Sequence, residues 1–198
     1  ADDYFKGLFE TALAPGLASA AVPAQAADWS VDPFAAEIVD PRAIDKETGS
    51  EAVHQGVMVE AEPLMAKTLG TLGDTDLLLI LDQVTDPHNV GAIMRSAVAF
   101  NCGALITTAR HSPQESGVLA KAASGALELI PHIEVRNLSD ALSEVEALGY
   151  QTIGLDSEGP VELEASFSAK KVALVLGAEG KGLRQKTRET VNTLARLE

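Results

Sequence analysis

Two solid apolar runs, Leu77–Leu81 and Val172–Leu176, each break into a glycine-punctuated segment and then into helix-like sequence. The first continues Asp82-Gln-Val-Thr-Asp-Pro-His-Asn89-Val-Gly91-Ala-Ile-Met-Arg95, the second Gly177-Ala-Glu179-Gly180-Lys-Gly182-Leu183. Short, uninterrupted apolar runs bounded by turn residues read as strands buried on both faces. Parallel strands of that kind need crossover helices between them. The expected fold class is therefore α/β, a parallel sheet flanked by helices. In such sheets the loops leaving the carboxyl ends of the strands build the ligand site, so the two segments read as two walls of one pocket.

The alternation persists between these runs. Strands are expected over 103–107, 129–135 and 150–155, and helices over 89–100, 116–126, 139–148 and from 183 to 191. Asn89 reads as the N-cap of its helix, and Asn137 or Ser139 as the cap of the helix that follows. Upstream, residues 1–36 are rich in Ala and Pro without a clean period and read as loop or linker, with Trp29 and Phe34 as candidate anchors. A short strand at 36–39, a turn at 41–44, a polar loop at 46–50, a strand in 57–60 and a short helix within 62–73 complete the reading. The first 50 residues are expected to form a separate N-terminal region and linker, and 51–198 the main domain.

Composition narrows the function. Hydrophobic residues make up 46% of the 198, enough for a packed core, while no apolar run approaches a membrane span. The start lacks the basic and apolar stretches of a signal peptide, and the single Cys102 excludes an intrachain disulfide and a cysteine-based zinc site. These features read as cytoplasmic. Net charge is −14. Residues 1–76 hold 4 Lys+Arg against 14 Asp+Glu, so the acidity is concentrated there, and a basic cluster of Lys181, Arg184, Lys186 and Arg188 stands out near the end. His111 and His132 have no partners at metal-ligand spacing, so no metal is expected.

The glycine segments fit neither common phosphate-binding fingerprint. Gly180-Lys-Gly182 is not followed by a third glycine in register, and Lys181 is followed by Gly where a Walker A loop has Ser or Thr. Glycines around a carboxylate instead suggest a backbone approached closely by a ligand, with Glu179 at a helix N-terminus. Arg95 falls near the apolar side of its helix, where a cation needs a partner or a site to point into. A carboxylate such as Asp82 is one candidate partner.

Asn89-x-Gly91-x-x-x-Arg95 after a strand, with Val-Leu-Gly177-x-Glu179-x-x-Gly182-Leu183 downstream, resembles the first two motifs of the SpoU/TrmH family of RNA 2′-O-methyltransferases. His54-Gln-Gly56-Val and Asp40-Pro-Arg-Ala-Ile-Asp45 are most similar to the branch that methylates a guanosine in 23S ribosomal RNA. The resemblance spans roughly residues 37–198. It implies the SPOUT fold, an α/β sheet with a C-terminal trefoil knot, and a homodimer. It also implies S-adenosylmethionine as methyl donor, no metal, and RNA as partner. The family's third motif is absent before Glu198, so the knot segment is expected to be incomplete. Residues 1–50 then read as a remnant of the family's RNA-binding domain.

By the same resemblance Arg95, Asn89 and Glu179 are the catalytic set. Arg95 acts on the ribose 2′-hydroxyl together with an RNA phosphate, and Asn89 and Glu179 position it and the substrate. A guanidinium is a poor base, so a clamp that orients the ribose is the better description. Gly177, Gly180, Leu155 and Leu197 are the expected donor-binding positions, and the Lys181–Arg188 cluster is expected to meet RNA phosphates. Transfer RNA as substrate, a catalytically inactive RNA-binding or ribosome-assembly module of the same fold, and a nucleotide-dependent oxidoreductase are the alternatives.

Overall fold

The computed structural model describes residues 39–49, 58, 65–110, 112–113 and 115–197. The chain divides into two compact units, Ala1–Leu64 and Met65–Glu198. The expectations for residues 1–36, Trp29, Phe34, His54-Gln-Gly56, the strand within 57–60 and His111 lie outside the described residues.

In the first unit the described element is helix α1, Pro41–Thr48. Asp40 caps it, its carboxylate accepting from the Arg42 N–H at 2.9 Å, and Pro41 supplies a helix-ready φ at the first position. Gly49, at φ 88°, ends it. The sequence reading of a turn at 41–44 and a loop from 46 is thereby corrected. The segment is polar with one buried apolar side chain, Ile44, so the cap and the proline mark the helix better than periodicity does.

The second unit is a seven-stranded, wholly parallel sheet. Its strands are β1 (Leu77–Asp82), β2 (Ala104–Thr108), β3 (His132–Val135), β4 (Gln151–Leu155), β5 (Val161–Glu162), β6 (Val172–Gly177) and β7 (Thr193–Arg196). They lie in the order β3-β2-β1-β6-β4-β7-β5. The helices are α2 (Pro87–Ala99), α3 (Gly117–Ala123), α4 (Ala126–Leu129), α5 (Leu138–Ala147), α6 (Leu163–Ser166) and α7 (Gln185–Thr190).

Period-two alternation sorts β1 between two cores. Leu79 and Leu81 pack with Val90, Met94 and Ala97 of α2 and with Leu119 and Ala123 of α3. Leu78 and Ile80 face the opposite side, with Ala141, Leu142 and Val145 of α5. Burial on both faces explains why β1 is an unbroken apolar run. Gly91 lets α2 meet α3 closely: a Cβ there would lie 2.6 Å from the Ala122 Cβ and 2.7 Å from the Ala123 nitrogen.

Several boundaries differ from the sequence reading. Asp86 caps α2, accepting from the His88 N–H at 2.9 Å with Pro87 at the first position, so Asn89 belongs to the first turn. Asn137 caps α5. The strand expected over 129–135 begins only at His132, because 126–129 form α4 after the left-handed pair Ser124 and Gly125. A three-residue 3-10 turn, Leu69–Thr71, stands where a helix was expected within 62–73. Strands β5 and β7 were not foreseen. β7 inserts between β4 and β5, two strands joined to each other by residues 156–160. That connection crosses tightly over β7, since a Cβ on Gly159 would lie 2.5 Å from the Ala195 carbonyl carbon. Arg196 holds it from below, donating to the Gly159 carbonyl at 3.0 Å and pairing with Glu162 at 3.3 Å.

Candidate active site

β1 and β6 are adjacent, with Asp82 opposite Gly177 in register. From β1 the chain steps outward through β2 and β3, and on the other side lie β6 and β4. This is the reversal point at which parallel sheets open a crevice beyond their carboxyl ends. A cleft of about 430 Å³ occupies that place, lined by Gln83, Val84, Thr85 and Asp86 from one loop, by Asn89 from the first turn of α2, and by Ala178, Glu179 and Lys181 from the other loop. The volume falls in the ~300–1,000 Å³ range of small-molecule sites.

Each wall is shaped by its backbone. Gln83 turns the chain out of β1 with φ 62°, a left-handed conformation that a non-glycine residue holds only when its surroundings impose it. On the other wall Ala178 and Gly182 exchange bonds (Ala178 N–H to Gly182 O, 3.2 Å; Gly182 N–H to Ala178 O, 2.8 Å). Gly180 and Gly182 take φ 74° and 64° to close this turn. A Cβ on Gly177 would collide with the Gly182 carbonyl, so Gly177 is required by the turn itself. A Cβ on Gly180 would meet nothing within 4 Å, which leaves its backbone open to approach.

The structure brings Asn89 and Glu179 together across the cleft: the Asn89 amide Nδ2 lies 3.5 Å from Glu179 Oε2, a long contact between exposed groups. Asn89 is left to reach it because Asp86, three residues earlier, takes the capping role. Arg95 lies further along α2 and does not line the cleft. Its side chain is exposed and Nη1 donates to the Ala122 carbonyl of α3 at 2.8 Å. Asp82 is therefore not its partner. Gly177, Leu155 and Leu197 come at the carboxyl ends of β6, β4 and β7, three neighbouring strands, on the side of β6 away from β1. Leu155 is half-buried and Leu197 is exposed. Gly180 sits in the turn between the two flanks.

Asp82 has a different partner, which the sequence did not disclose. Its carboxylate is fully buried and accepts twice from Arg184: from the backbone N–H at 2.9 Å and from Nε at 2.6 Å. Arg188 is likewise committed, with Nη1 3.1 Å from Asp156 and Nη2 3.6 Å from Glu158. The basic cluster thus shrinks. Among the described residues Lys181 and Lys186 form no ion pair, and Lys181 borders the cleft. An aspartate ending an otherwise apolar buried strand was the available clue that a cation must be returned to it.

Behind β2 and β3 lies a second polar group. His132 Nε2 meets the Thr107 hydroxyl at 2.8 Å, and Nδ1 stands 3.9 Å from Glu115. Burial holds its pKa below the ordinary 6.5, although Glu134 and Glu115 pull the other way. The sequence reading weighed His132 only for partners at metal-ligand spacing and did not foresee this contact with Glu115. Among the described residues no three His, Cys, Asp or Glu gather as a metal site. The Cys102 thiol, partly buried against the α2 face, is pushed up by desolvation.

Residues 76–198 match the profile of the SpoU rRNA Methylase family. The chain belongs to this family. The 23S rRNA (guanosine-2′-O-)-methyltransferase RlmB of Ralstonia nicotianae is 43% identical over 149 residues, covering 73% of this chain and 60% of that protein. Its counterpart in Pseudomonas aeruginosa is 38% identical over 165 residues, covering 80% and 66%. The chain thus spans roughly three-fifths of the length of such relatives. Among solved structures, an AdoMet-bound rRNA methyltransferase from Sinorhizobium meliloti matches with TM-score 0.61 at 25% identity, covering 68% of this chain and 52% of that one. The SpoU methyltransferase AviRb from Streptomyces viridochromogenes, at 23% identity and TM-score 0.61 over 67% and 53%, shares the fold. The SPOUT-type α/β sheet expected from the motifs is therefore the fold of this SpoU-family chain, and the oxidoreductase alternative is set aside.

Proposed function

We propose that the chain carries the catalytic domain of an S-adenosylmethionine-dependent RNA 2′-O-methyltransferase whose substrate is a guanosine ribose of 23S ribosomal RNA. One observation carries the reading: Asn89 and Glu179, 90 residues apart, meet across a cleft at the carboxyl ends of β1 and β6. The identity to guanosine methyltransferases of 23S rRNA supports the substrate.

S-adenosylmethionine, when bound, supplies an electrophilic methyl group. The residues present fit such a ligand: Gly180 offers open backbone, and Leu155 and Leu197 offer apolar surface at the strand ends next to Gly177. Asn89 and Glu179 orient the ribose hydroxyl from opposite walls. Arg95 is fixed against Ala122 by one arm, which leaves its other guanidinium nitrogens free to clamp a phosphate and hold the nucleotide in line. Alignment of this kind contributes about 7–11 kcal/mol in well-oriented reactions. Lys181, which borders the cleft and has no ion pair among the described residues, supplies a cation for a neighbouring phosphate. The enzyme works in the cytoplasm as a homodimer, and the N-terminal unit helps select the RNA.

Methyl transfer to unmodified 23S rRNA by the full-length protein tests the reading. Arg95→Ala should lower kcat by about 10²–10³-fold, the range seen when a charge-stabilising donor is removed. Its melting temperature should stay close to wild type, since only one exposed bond is lost. Near-normal turnover by Arg95→Ala would remove the role given to Arg95. A wild-type protein that neither transfers methyl groups nor binds S-adenosylhomocysteine would overturn the activity.

A further inference from the structure

The two walls of the cleft are held differently at their roots. The first begins at Gln83, directly after Asp82. The second leaves the β1–β6 ladder at Gly177, runs through the turn 178–182, and rejoins the sheet only at Leu183 and Arg184. Leu183 is buried and gives apolar anchorage without direction. Arg184 gives direction: its backbone N–H and its Nε both end on the one buried carboxylate of Asp82, at 2.9 and 2.6 Å. A carboxylate with no solvent is tolerated only when such partners satisfy it, so the geometry is strongly imposed. The contact across the mouth, Asn89 to Glu179 at 3.5 Å, is too long to set the spacing by itself.

We propose that Asp82 and Arg184 form a clasp that fixes the separation of the cleft walls and thereby holds Glu179 against the Asn89 end of α2. They are positioning residues, acting through Glu179. The clasp stands on the structure alone, and its catalytic consequence rests on the methyltransferase reading above.

Two measurements on the full-length protein decide it. In Asp82→Asn one oxygen is replaced by a donor, so the amide cannot accept both Arg184 bonds. Amide hydrogen exchange over 178–184 should quicken roughly tenfold while 172–176 of β6 keeps its protection. Arg184→Gln, which leaves the backbone N–H bond to Asp82 in place, should show the same local loss and serves if Asp82→Asn does not fold. The second measurement is a kinetic cycle with Glu179→Ala. Arg184→Gln should lower kcat roughly tenfold when Glu179 is present and change it little when Glu179 is absent, because the two act as one unit. Unchanged exchange over 178–184, or losses in kcat that simply add, would overturn the clasp. If the wild-type protein proves inactive, the methyltransferase reading fails, and the exchange measurement still decides the clasp by itself.

Discussion

Gly91→Ala sets two effects of known size against each other. In the interior of α2, alanine is favoured over glycine by about 0.8–1.0 kcal/mol. Against this, the new Cβ would lie 2.6 Å from the Ala122 Cβ, 2.7 Å from the Ala122 carbonyl carbon and 2.7 Å from the Ala123 nitrogen. Carbon atoms pack at about 3.5–4.0 Å, so α3 must retreat by roughly 1 Å. Two of the three obstructing atoms are backbone, and no rotamer change relieves them. Retreat also loosens Leu119 and Ala123 from the Met94 side of the core, all three fully buried. Overpacking of this kind costs about 1–3 kcal/mol. With two backbone atoms obstructing, the clash outweighs the propensity gain, and the net loss reaches up to about 2 kcal/mol. For a chain of this size that lowers the melting temperature by up to about 8 °C in a calorimetric scan. Gly91→Val, with two more methyls and a β-branch, should melt lower still. A Gly91→Ala protein that melts above wild type would refute the reasoning, because propensity alone would then govern the site.

Two further outcomes follow from buried polar groups. Among the described residues the buried Thr108 Oγ1 finds no hydrogen-bond partner, so Thr108→Val, nearly isosteric and well suited to a strand, should raise stability by about 1–2 kcal/mol in denaturant unfolding; a loss would mean the hydroxyl is satisfied. Burial keeps His132 neutral in the folded chain below its ordinary pKa of 6.5, despite Glu115 and Glu134 nearby. As pH falls through 6.5 the unfolded chain takes up a proton that the folded chain refuses, so stability is full above that pH and declines below it. His132→Gln, keeping a polar group toward Thr107, should flatten the decline between about pH 7 and 5, and an unchanged slope would assign the acid sensitivity elsewhere.

The central strands could be read from the sequence because burial on both faces leaves no polar position to interrupt them. β1 and β6 declare themselves, and so do the helices that cover them. β7, Thr-Leu-Ala-Arg, and the two-residue β5 carry too few apolar positions to signal a strand, and their place is set by neighbours rather than by pattern. Of the site, Asn89 and Glu179 were visible through their motifs and their meeting is a matter of topology. Arg95 was legible as a residue but not its bond to Ala122, a backbone carbonyl on another helix. The Asp82–Arg184 pair spans 102 residues, and no local rule links positions so far apart. It was Arg184's place in a visible basic cluster that drew the reading toward RNA phosphates.

The seating of β7 between β4 and β5 also bears on how the chain is made. β4 and β5 cannot be bridged until β7, some 30 residues beyond β5, has been synthesised and seated between them. Such late, distant pairing slows folding. A nascent chain leaving the ribosome would thus hold a five-stranded sheet with β4 as an open edge until residues 193–196 emerge, and would need shielding from neighbouring chains during that interval.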